Sequence, residues 1–546
     1  MRDLRKFRTH VEILKHSHPE LVIQLAPDAP DNPAEVCGDG DILGLKWKGK
    51  SLHSSRDPAK EAMRLLEKFS FENGRAYLLF GVGLGHLAFA ALEKLPPRSA
   101  LILLEPDIRI LRESLGAAEF RPLLFDARVR WVSGQNWMEH LRTALRRSEE
   151  AGAAASSAIL SLQSYRSYFS QALAEARGIL AQFLNEREID SETRKELWGL
   201  WNRNLTENVP EMLSSVPLKF LTSAFEKIPA ILVGAGPTLD DHLPNLRGFK
   251  DRALIVAVDT ALAPLLAAGC EPDIVLAMDG QEANARDFDG LPPHSTILLF
   301  DAFCHPSIPK LYASQCRIAS QTGHIFSDID ELVVVKNGML PVLEYLLDFE
   351  FGFLQNGGSV ITAGFDLARL AGVSAIGLVG VDLSYPNFQT HSKLTNKFRA
   401  AAGQMSRFGT QESRFFEETA EKARMTIPTA AGTTVVSDRV MLMYKHWMED
   451  AAVRTGLPCY TLGDRPTVFL KGFQPLTSGE FISRFGAPRT EIESRLARCR
   501  AVRRPELDSE TILKRVEDIR SDMAALDNNP DAGHVGPFDL DRFVAA

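Results

Sequence analysis

Residues 231–246 read ILVGAGPTLDDHLPNL. An apolar run typical of a buried strand leads into a Gly-Ala-Gly-Pro turn, and the residues after the turn have a helical pattern. Pro237 suits the first position of a helix, because the N–H that proline lacks would have no intrahelical partner there. Thr238 adds a hydroxyl beside the backbone amides that a helix start leaves unpaired. The stretch therefore predicts a strand, a turn and a helix, with a turn suited to a phosphate or a carboxylate.

The chain around this stretch alternates strands and helices from residue 229 to about residue 385. The predicted strands are PAILVG, ALIVAVD, DIVLAMD, STILLFD, ELVVV and AIGLVGVD, with a helix over 359–371 before the last of them. These strands are apolar throughout, which is typical of a parallel sheet covered on both faces. The pattern predicts a Rossmann-like central domain, in which ligands bind at the carboxyl ends of the strands.

Residues 77–105 repeat this order of elements on a smaller scale. Strand AYLLF, turn GVGLG, helix HLAFAALEKL and strand ALILLEP predict a second Rossmann-like unit. The glycines let the backbone approach a ligand, and Glu105 lies where dinucleotide and S-adenosyl enzymes hold ribose hydroxyls. Glycines at a strand-to-helix turn also serve close packing alone. A ligand site and a purely structural turn therefore both remain open here.

The predicted fold class is α/β, and the chain divides into four predicted parts. We expect an N-terminal domain with a Rossmann-like unit over 1–135, a helical connecting region over 136–228, the central domain over 229–470 and a helical C-terminal region over 471–546. No strand is predicted in the connecting region. The stretch AGAAASSA at 151–158 is interpreted as a hinge or a helix start.

Two further segments are assigned by their patterns. The polar stretch from Tyr385 to about residue 430 is too long and too charged for a simple connection, and it predicts a mobile lid or an inserted helix pair. Near the end of the chain, apolar residues recur at steps of three and four and predict a helix with one apolar face. These residues are Ile512, Val516, Ile519, Met523 and Leu526.

The composition is that of an ordinary soluble protein. The 546 residues are 45% hydrophobic and carry a net charge of −8, which gives no electrostatic reason to expect nucleic acid or an anionic membrane as a partner. We expect no signal peptide, because the basic start MRDLRKFRTH has no apolar core behind it, and no membrane insertion. Six scattered cysteines without zinc-like spacing predict reduced thiols in a cytoplasm and no metal site. The sequence does not indicate an oligomeric state.

Four acids follow predicted strands of the central domain. They are Asp259, Asp279, Asp301 and Asp382. Any one of them alone is interpreted as a cap of the helix that follows it. Because the carboxyl ends of parallel strands lie at one edge of a sheet, the four together predict one edge of a binding site. The chain lacks the G-x-x-x-x-G-K-[ST] run of a P-loop near this edge, so a Walker-type ATPase is not expected.

A second glycine-opened helix start and a loop complete the candidate site. Residues 356–359, Asn-Gly-Gly-Ser, precede an apolar helix and predict a second place where backbone amides bind an anion. The loop VDLSYPNFQTH brings Tyr385 and His391 close to Asp382 in the chain. His391 is a candidate general base, because imidazole titrates near neutral pH. A merely solvated loop histidine is the alternative interpretation.

Several separated motifs occur together in one order along residues 75–450. They are LLFGVGLGHLAFAALE with LLEPD, GAGPTLDDHLPNL, AVDTALAPLLAAGCEPDIVLAMDGQ, NGGSVITAGFDLARLAG, VGVDLSYPNFQTH and SDRVMLMYKHWMED. In this set the chain resembles the motility accessory factor family of flagellin glycosyltransferases. The family turn commonly reads G-x-G-P-S, and Thr238 keeps the hydroxyl of that serine.

The resemblance implies a central domain similar to bacterial sialyltransferases, which uses a CMP-activated nonulosonic acid such as pseudaminic or legionaminic acid. The sugar would go to Ser or Thr of flagellin before export, with no further cofactor. The nucleotide-sugar site would consist of the two glycine turns and two strand-end acids: Gly234, Gly236, Pro237, Thr238, Asn356, Gly357, Gly358, Ser359, Asp259 and Asp279. In this interpretation the catalytic residues lie on the loop that Asp382 begins. Tyr385 would donate to the leaving phosphate, and His391 would take the proton of the acceptor hydroxyl.

Three other functions remain open. Archaeal-type pterin pyrophosphokinases share the G-P-[ST]-L turn and the D-T-A-L and P-D run, and would use ATP with Mg²⁺ held by Asp259 or Asp279. The extra domains on both sides argue against such a small metabolic kinase. A flagellin-binding scaffold would bind flagellin without catalysing a transfer. A methyltransferase would bind S-adenosylmethionine at GVGLGH and Glu105.

Overall fold

The computed structural model describes most of the chain as two compact units. The described residues are 3–17, 21–22, 25, 32–38, 43–327, 332–336, 344, 350–403, 405, 409–421, 424–429, 431–463, 468–502 and 514. One unit comprises Met1–Thr193 with Phe326–Val333, and the other comprises Arg194–Ile325 with Val334–Ala546. The predicted tail-helix residues Ile512, Val516, Ile519, Met523 and Leu526 lie outside the described residues.

The first unit contains two sheets. The antiparallel sheet consists of β1 (Ala34–Cys37), β2 (Gly44–Trp47) and β3 (Lys50–Ser51), and the parallel sheet consists of β4 (Arg75–Phe80), β5 (Ala100–Leu104), β6 (Val129–Val132) and β7 (Ala154–Leu160). The parallel strands lie in the order β6-β5-β4-β7. Residues 77–105 thus have the strand, turn, helix and strand that their pattern predicts, and β5 is buried along its whole length.

The helices of the first unit surround these sheets. They are α1 (Leu4–Ser17), α2 (Pro58–Leu66), α3 (His86–Lys94), α4 (Ile108–Ala117), α5 (Arg121–Phe125), α6 (Trp137–Glu150), α7 (Gln163–Tyr168) and the first part of α8 (Ser170–Leu213).

The interpretation of residues 151–158 as a hinge or a helix start is wrong, because most of them belong to strand β7. This strand pairs in parallel with β4, with a shift of register between Ala76 and Leu78. Its small Ala and Ser side chains lack the β-branched and aromatic residues by which a strand is usually recognised. Only Ala155 and Leu160 of the strand are fully buried. Pairing with β4, rather than the preference of its own side chains, accounts for this strand.

The second unit is built on a large, mostly parallel sheet, which confirms the predicted α/β class. Its strands are β8 (Val216–Pro217), β9 (Ala230–Val233), β10 (Leu254–Val258), β11 (Ile274–Ala277), β12 (Ile297–Asp301), β13 (Arg317–Ser327), β14 (Leu332–Lys336), β15 (Phe353–Gln355), β16 (Ile376–Val379), β19 (Cys459–Leu462) and β20 (Phe473–Leu476). The main path runs β14-β13-β12-β11-β10-β9-β16-β19-β20, and β8 and β15 each pair with β13. β8 is a short strand in a region where none is predicted.

Helices and a hairpin complete the second unit. The hairpin strands are β17 (Met425–Pro428) and β18 (Thr434–Ser437). The helices are the second part of α8, then α9 (Leu239–Lys250), α10 (Asp259–Ala267), α11 (Glu282–Ala285), α12 (Ser307–Leu311), α13 (Val360–Leu370), α14 (Asn396–Gly403), α15 (Gln411–Glu421), α16 (Arg439–Thr455), α17 (Ser478–Phe485) and α18 (Arg489–Arg500). Among the described residues of both units, no helix has the length and the apolar composition needed to cross a bilayer.

Two glycines allow β9 and β16 to run side by side into their turns. Gly234 donates its N–H to the Val379 carbonyl, and Gly236 donates to the Gly380 carbonyl, each at 2.8 Å. A Cβ atom on Gly234 would lie 2.6 Å from the Gly380 oxygen, and one on Gly380 would lie 2.5 Å from the Gly234 oxygen. Gly380 also has a φ of +64°, which residues with a side chain rarely adopt. The backbones can meet here only without side chains.

We predict that Gly380→Ala destabilises the protein more than Gly290→Ala. Gly290 has the same φ of +64° but no atom within 4 Å of its ideal Cβ. The Gly290 variant measures the left-handed strain alone, about 1–2 kcal/mol. The Gly380 variant adds overlap with the Gly234 backbone, which we expect to cost roughly 1–3 kcal/mol more. Thermal unfolding of both variants tests this difference, and equal melting temperatures would contradict it.

Candidate active site

The strand order of the second unit reverses between β9 and β16. From β9 the chain adds β10, β11, β12 and β13 in one direction, whereas β16, β19 and β20 lie on the other side. In open parallel sheets, ligands bind in the crevice outside the carboxyl ends of the strands at such a reversal. The turn Gly234 to Thr238 follows β9, and the loop that begins at Asp382 follows β16. The two predicted motifs therefore lie on the two sides of this point.

The Asp382 carboxylate joins these two motifs. It accepts hydrogen bonds from the Thr238 backbone N–H at 2.9 Å and from the Thr238 hydroxyl at 2.8 Å. Both residues are buried, and a Cβ on Gly236 would lie 2.3 Å from the carboxylate. Helix α9 begins at Leu239, so Pro237 precedes its first turn rather than occupying it. The Thr238 hydroxyl, predicted to face a bound anion, is used within the protein.

The loop of residues 382–392 is also attached to the same turn at its other end. Ser392 donates its backbone N–H to the Ala235 carbonyl at 2.9 Å and its hydroxyl to Asp240 at 2.5 Å. Asp240 accepts a further bond from the Lys393 N–H at 3.2 Å. The structure thus brings His391, which directly precedes Ser392, next to the turn after β9.

Three residues without glycine's freedom have left-handed backbone angles in this loop. Leu383, Asn387 and Phe388 have φ values of +47°, +53° and +60°. Each such residue costs about 1–3 kcal/mol and persists only where its surroundings hold it. Strained residues of this kind occur preferentially at active sites and ligand clamps.

The Tyr385 hydroxyl is turned toward a different partner from the predicted one. It is buried and donates to the Asp438 carboxylate at 2.6 Å, while the Tyr385 N–H donates to the Val436 carbonyl at 2.8 Å. Asp438 is the N-cap of α16 and also accepts from the Met441 N–H. Burial, and then the bond to Asp438, raise the pKa of Tyr385 well above its usual range. Tyr385 therefore links the loop to the start of α16.

Helix α16 in turn packs against the Asn-Gly-Gly-Ser turn before α13. A Cβ on Gly357 would lie 2.3 Å from the Trp447 ring, and one on Gly358 would lie 2.9 Å from Tyr444. The Gly357 and Gly358 N–H groups donate to Thr362 and Asn356 side chains, both at 2.8 Å. By contrast, three N–H groups at the start of α13 find no acceptor within the described part of the chain. They belong to Ser359, Val360 and Ile361.

Acids lie at the ends of β10, β11 and β12, and Asp259 and Asp301 are buried whereas Asp279 is half-buried. Asp259 accepts from the Thr260 N–H, and the Thr260 hydroxyl donates to Asp287 at 2.8 Å. Burial raises the pKa of both Asp259 and Asp301 to about 7. Burial also raises the pKa of Asp279 and Asp287. Asp259 and Asp301 therefore carry less negative charge near neutral pH than two ordinary carboxylates would. Within the described ranges, no three His, Cys, Asp or Glu side chains are grouped so that they could hold a metal ion.

Residues 203–388 match the family model described as "6-hydroxymethylpterin diphosphokinase MptE-like". We call residues 203–388 the MptE-like domain after this match. It includes the turn after β9, the acids at the ends of β10 to β12, the Asn-Gly-Gly-Ser turn and most of the loop after β16.

A solved structure shares the fold over almost the whole chain. It is the MAf glycosyltransferase from Magnetospirillum magneticum AMB-1, with a TM-score of 0.54 and 18% identity, over 99% of this chain and 85% of the other. This similarity confirms the predicted fold class. Together with the match to the MptE-like family model, it supports the resemblance to the motility accessory factor family.

Two proteins of Treponema pallidum (strain Nichols), both named only as uncharacterized, are also similar to the chain. One is 25% identical over 288 residues, or 51% of this chain and 48% of the relative. The other is 26% identical over 120 residues, or 22% of this chain and 56% of the relative. The chain thus spans about half the length of these relatives.

The MptE-like domain also contains a pair of asparagines that the sequence analysis missed. Asn204 donates to the Gly280 and Phe303 carbonyls, and Asn208 donates to the Ala302 and Cys304 carbonyls. Asn204 therefore holds the loops after both β11 and β12, whereas Asn208 holds the loop after β12 only. Their spacing of four residues places them on one face of α8, and this spacing is the signal that was available in the sequence.

The turn GVGLG of the first unit is occupied by the protein's own side chains. Glu105 accepts from the Val82 and Gly83 N–H groups at 2.9 and 3.1 Å, and from the Tyr165 hydroxyl at 2.9 Å. A Cβ on Gly81 would lie 2.2 Å from the Tyr165 ring. Burial raises the pKa of Glu105 to about 7. Of the two interpretations that the sequence leaves open for this turn, the geometry favours close packing.

We predict that Thr238→Val destabilises the MptE-like domain, whereas Thr238→Ser does not. Valine has nearly the same shape as threonine but leaves one oxygen of the buried Asp382 carboxylate without its hydroxyl donor. A hydrogen bond to a charged group contributes about 1.5–3 kcal/mol. Thermal unfolding of the two variants would show a lower midpoint for valine only. Equal midpoints would show that the Thr238 hydroxyl does not stabilise the junction.

We predict that Asp301→Asn stabilises the protein more at pH 8.5 than at pH 5. The folded state binds the Asp301 proton more tightly than the unfolded chain, since the pKa rises from 3.8 to about 7. The contribution of this proton is complete below pH 4 and is lost as the pH rises through 7. Asparagine removes the ionisation, so the melting temperature should exceed that of the wild type by several degrees at pH 8.5.

The control for this prediction is Asp251→Asn, which changes an exposed aspartate at the end of α9. We expect it to shift the melting temperature equally at both pH values. If Asp301→Asn also gave the same shift at both, ionisation of Asp301 would not affect stability.

Proposed function

We propose that the protein is a glycosyltransferase that moves a nonulosonic acid from a CMP-sugar to Ser or Thr hydroxyls of flagellin. Transfer would take place in the cytoplasm before export, and it would require no further cofactor. The fold similarity to the MAf glycosyltransferase supports a transferase of this kind. The sugar, the nucleotide and the acceptor follow from the resemblance of the motifs.

One observation carries the proposal. Motifs that are far apart in the sequence contact one another in a continuous series at the reversal of strand order. The turn after β9 contacts the loop of residues 382–392 through Asp382, the loop contacts α16 through Asp438, and α16 contacts the Asn-Gly-Gly-Ser turn through Trp447. They are four of the six motifs on which the family resemblance rests.

The start of α13 is the part of this series best suited to the leaving phosphate. Three backbone N–H groups there have no acceptor among the residues described, and a helix start favours negative charge. Such amides stabilise the charge that builds on the departing CMP without any proton transfer. The turn after β9 contributes differently, because the Thr238 N–H and hydroxyl already bind Asp382. Gly234, Gly236 and Pro237 would instead form a wall of the nucleotide site.

The reaction would be a direct displacement. The acceptor oxygen bonds to the anomeric carbon while the bond from that carbon to the CMP phosphate oxygen breaks. His391 takes the proton of the acceptor hydroxyl, and CMP leaves with the electron pair. Tyr385 and Asp382 act on this step by holding the loop that carries His391, since their polar groups bind Asp438 and Thr238.

The acids of the MptE-like domain are compatible with an anionic donor. With pKa values of about 7, Asp259 and Asp301 are partly protonated at neutral pH and repel a phosphate less than two full charges would. A partly protonated Asp259 can also donate a hydrogen bond to a sugar hydroxyl or carbonyl. Asp279, whose pKa burial raises as well, would line the same edge.

The family description supports one alternative function. An MptE-like domain is described by reference to 6-hydroxymethylpterin diphosphokinase, and such an enzyme would bind ATP with Mg²⁺ at Asp259 or Asp279. Calorimetric titration of the full chain separates the two functions. CMP binding that is unchanged by EDTA supports the transferase, whereas tight binding that requires both ATP and Mg²⁺ supports the kinase.

The transferase is tested by co-expression with flagellin and mass spectrometry of the intact flagellin. We expect glycan on flagellin with the wild-type protein and at least a tenfold lower initial rate with His391→Ala, because a general base contributes about 10²–10⁴ to the rate. His140→Ala, on α6 of the first unit, is the matched control and should behave as the wild type.

Two other outcomes are informative. Equal rates for the wild type and His391→Ala would remove His391 from the mechanism. Flagellin that associates with the wild-type protein but carries no glycan would favour the scaffold alternative.

A further inference from the structure

The loop of residues 382–392 is strained along its length and fixed at both ends to one short turn. Asp382 holds its first residue through Thr238, and Ser392 holds its last residue through Ala235 and Asp240. Leu383, Asn387 and Phe388 have left-handed backbone angles in between. A loop under such strain relaxes toward more common angles when an attachment is lost. The position of His391 therefore depends on the attachment beside it.

Asp240 forms that attachment. Its Oδ1 atom accepts from the Ser392 hydroxyl at 2.5 Å and from the Lys393 N–H at 3.2 Å, so it binds the two residues that follow His391. Asp240 lies in the first turn of α9, which has twelve residues and is anchored in the core by Leu239 and Leu246. A carboxylate on a rigid helix start thus fixes a strained loop, and two of its bonds lie directly after the candidate base.

We propose that Asp240 is a positioning residue for His391 in the transfer reaction. The inference rests on the proposed function, because it requires His391 to act as the general base of the transfer reaction. Asp240 does not touch the reacting atoms in this proposal. It restricts the imidazole to the place where the acceptor hydroxyl can reach it, and it thereby affects turnover rather than donor binding.

The first test measures how readily the loop opens and needs no activity assay. Hydrogen exchange followed by mass spectrometry on the full-length protein reports the amides of residues 387–392. Asp240→Ala and Ser392→Ala should each speed exchange of these amides by about tenfold, and Asp240→Asn should have a smaller effect because its amide oxygen still accepts one bond. Asp251→Ala, which removes an exposed carboxylate at the other end of α9, is the matched control and should leave the exchange unchanged. Loop exchange at the wild-type rate in Asp240→Ala would overturn the proposal.

The second test separates kcat from KM. Asp240→Ala should lower kcat at least tenfold and leave the KM for the CMP-sugar unchanged. Ser392→Ala should also lower kcat. The double variant Asp240→Ala/Ser392→Ala should be no slower than Asp240→Ala, because both substitutions remove the same hydrogen bond. Asp240→Asn should recover part of the rate. A higher donor KM with unchanged kcat would overturn the proposal and assign Asp240 to donor binding.

The two tests distinguish failure of this inference from failure of the proposed function. A wild-type protein that transfers no sugar, but whose loop loosens in Asp240→Ala, contradicts the transferase and retains Asp240 as the loop attachment. A working transferase whose rate and loop exchange do not change in Asp240→Ala contradicts the positioning role alone. If Asp240→Ala fails to fold, the same two measurements on Ser392→Ala decide between these outcomes. This variant removes the same hydrogen bond by changing the loop residue instead of the helix residue.

Discussion

The bond between the Asp382 carboxylate and Thr238 is the constraint on which the candidate site depends. It joins the ends of β9 and β16, the two neighbouring strands from which the chain continues in opposite directions along the sheet. The regular pairing of β9 and β16 ends at Val233 and Val379. Beyond that point the Asp382 carboxylate adds two side-chain bonds to the backbone bonds that Gly234 and Gly236 donate. The glycines at 234 and 380 let the backbones stay close enough for the carboxylate to reach.

The local pattern of the sequence was sufficient for most of the fold. Strands such as β10 and β12 are apolar runs buried on both faces, and a parallel sheet is the arrangement that such runs favour. Strand β7 could not be found in this way, because its Ala and Ser side chains carry little strand preference and its pairing with β4 depends on residues about 80 positions away.

The sequence predicts where the candidate site residues lie along the chain and the sheet, but it does not predict their hydrogen bonds. Glycine turns, strand-end acids and a loop histidine can be located from the topology alone. The partner of the Thr238 hydroxyl, by contrast, lies 144 residues further along the chain, and no rule of spacing connects the two. The same holds for Tyr385 and Asp438, although the start of α16 at an aspartate is a capping signal that was present in the sequence. Polar side chains choose partners by three-dimensional proximity, which a single sequence does not contain.

In the GVGLG turn of the first unit, one side chain distinguishes a structural turn from a possible ligand site. Glu105 occupies the Val82 and Gly83 amides, which are the groups that would otherwise be offered to a phosphate. The glycines of such a turn therefore do not decide whether it binds anything, because an internal carboxylate competes for the same donors. In homologous chains that retain these glycines, the residue at the end of the neighbouring strand would decide whether the turn is closed or available, and a binding site could be gained or lost there through one side chain.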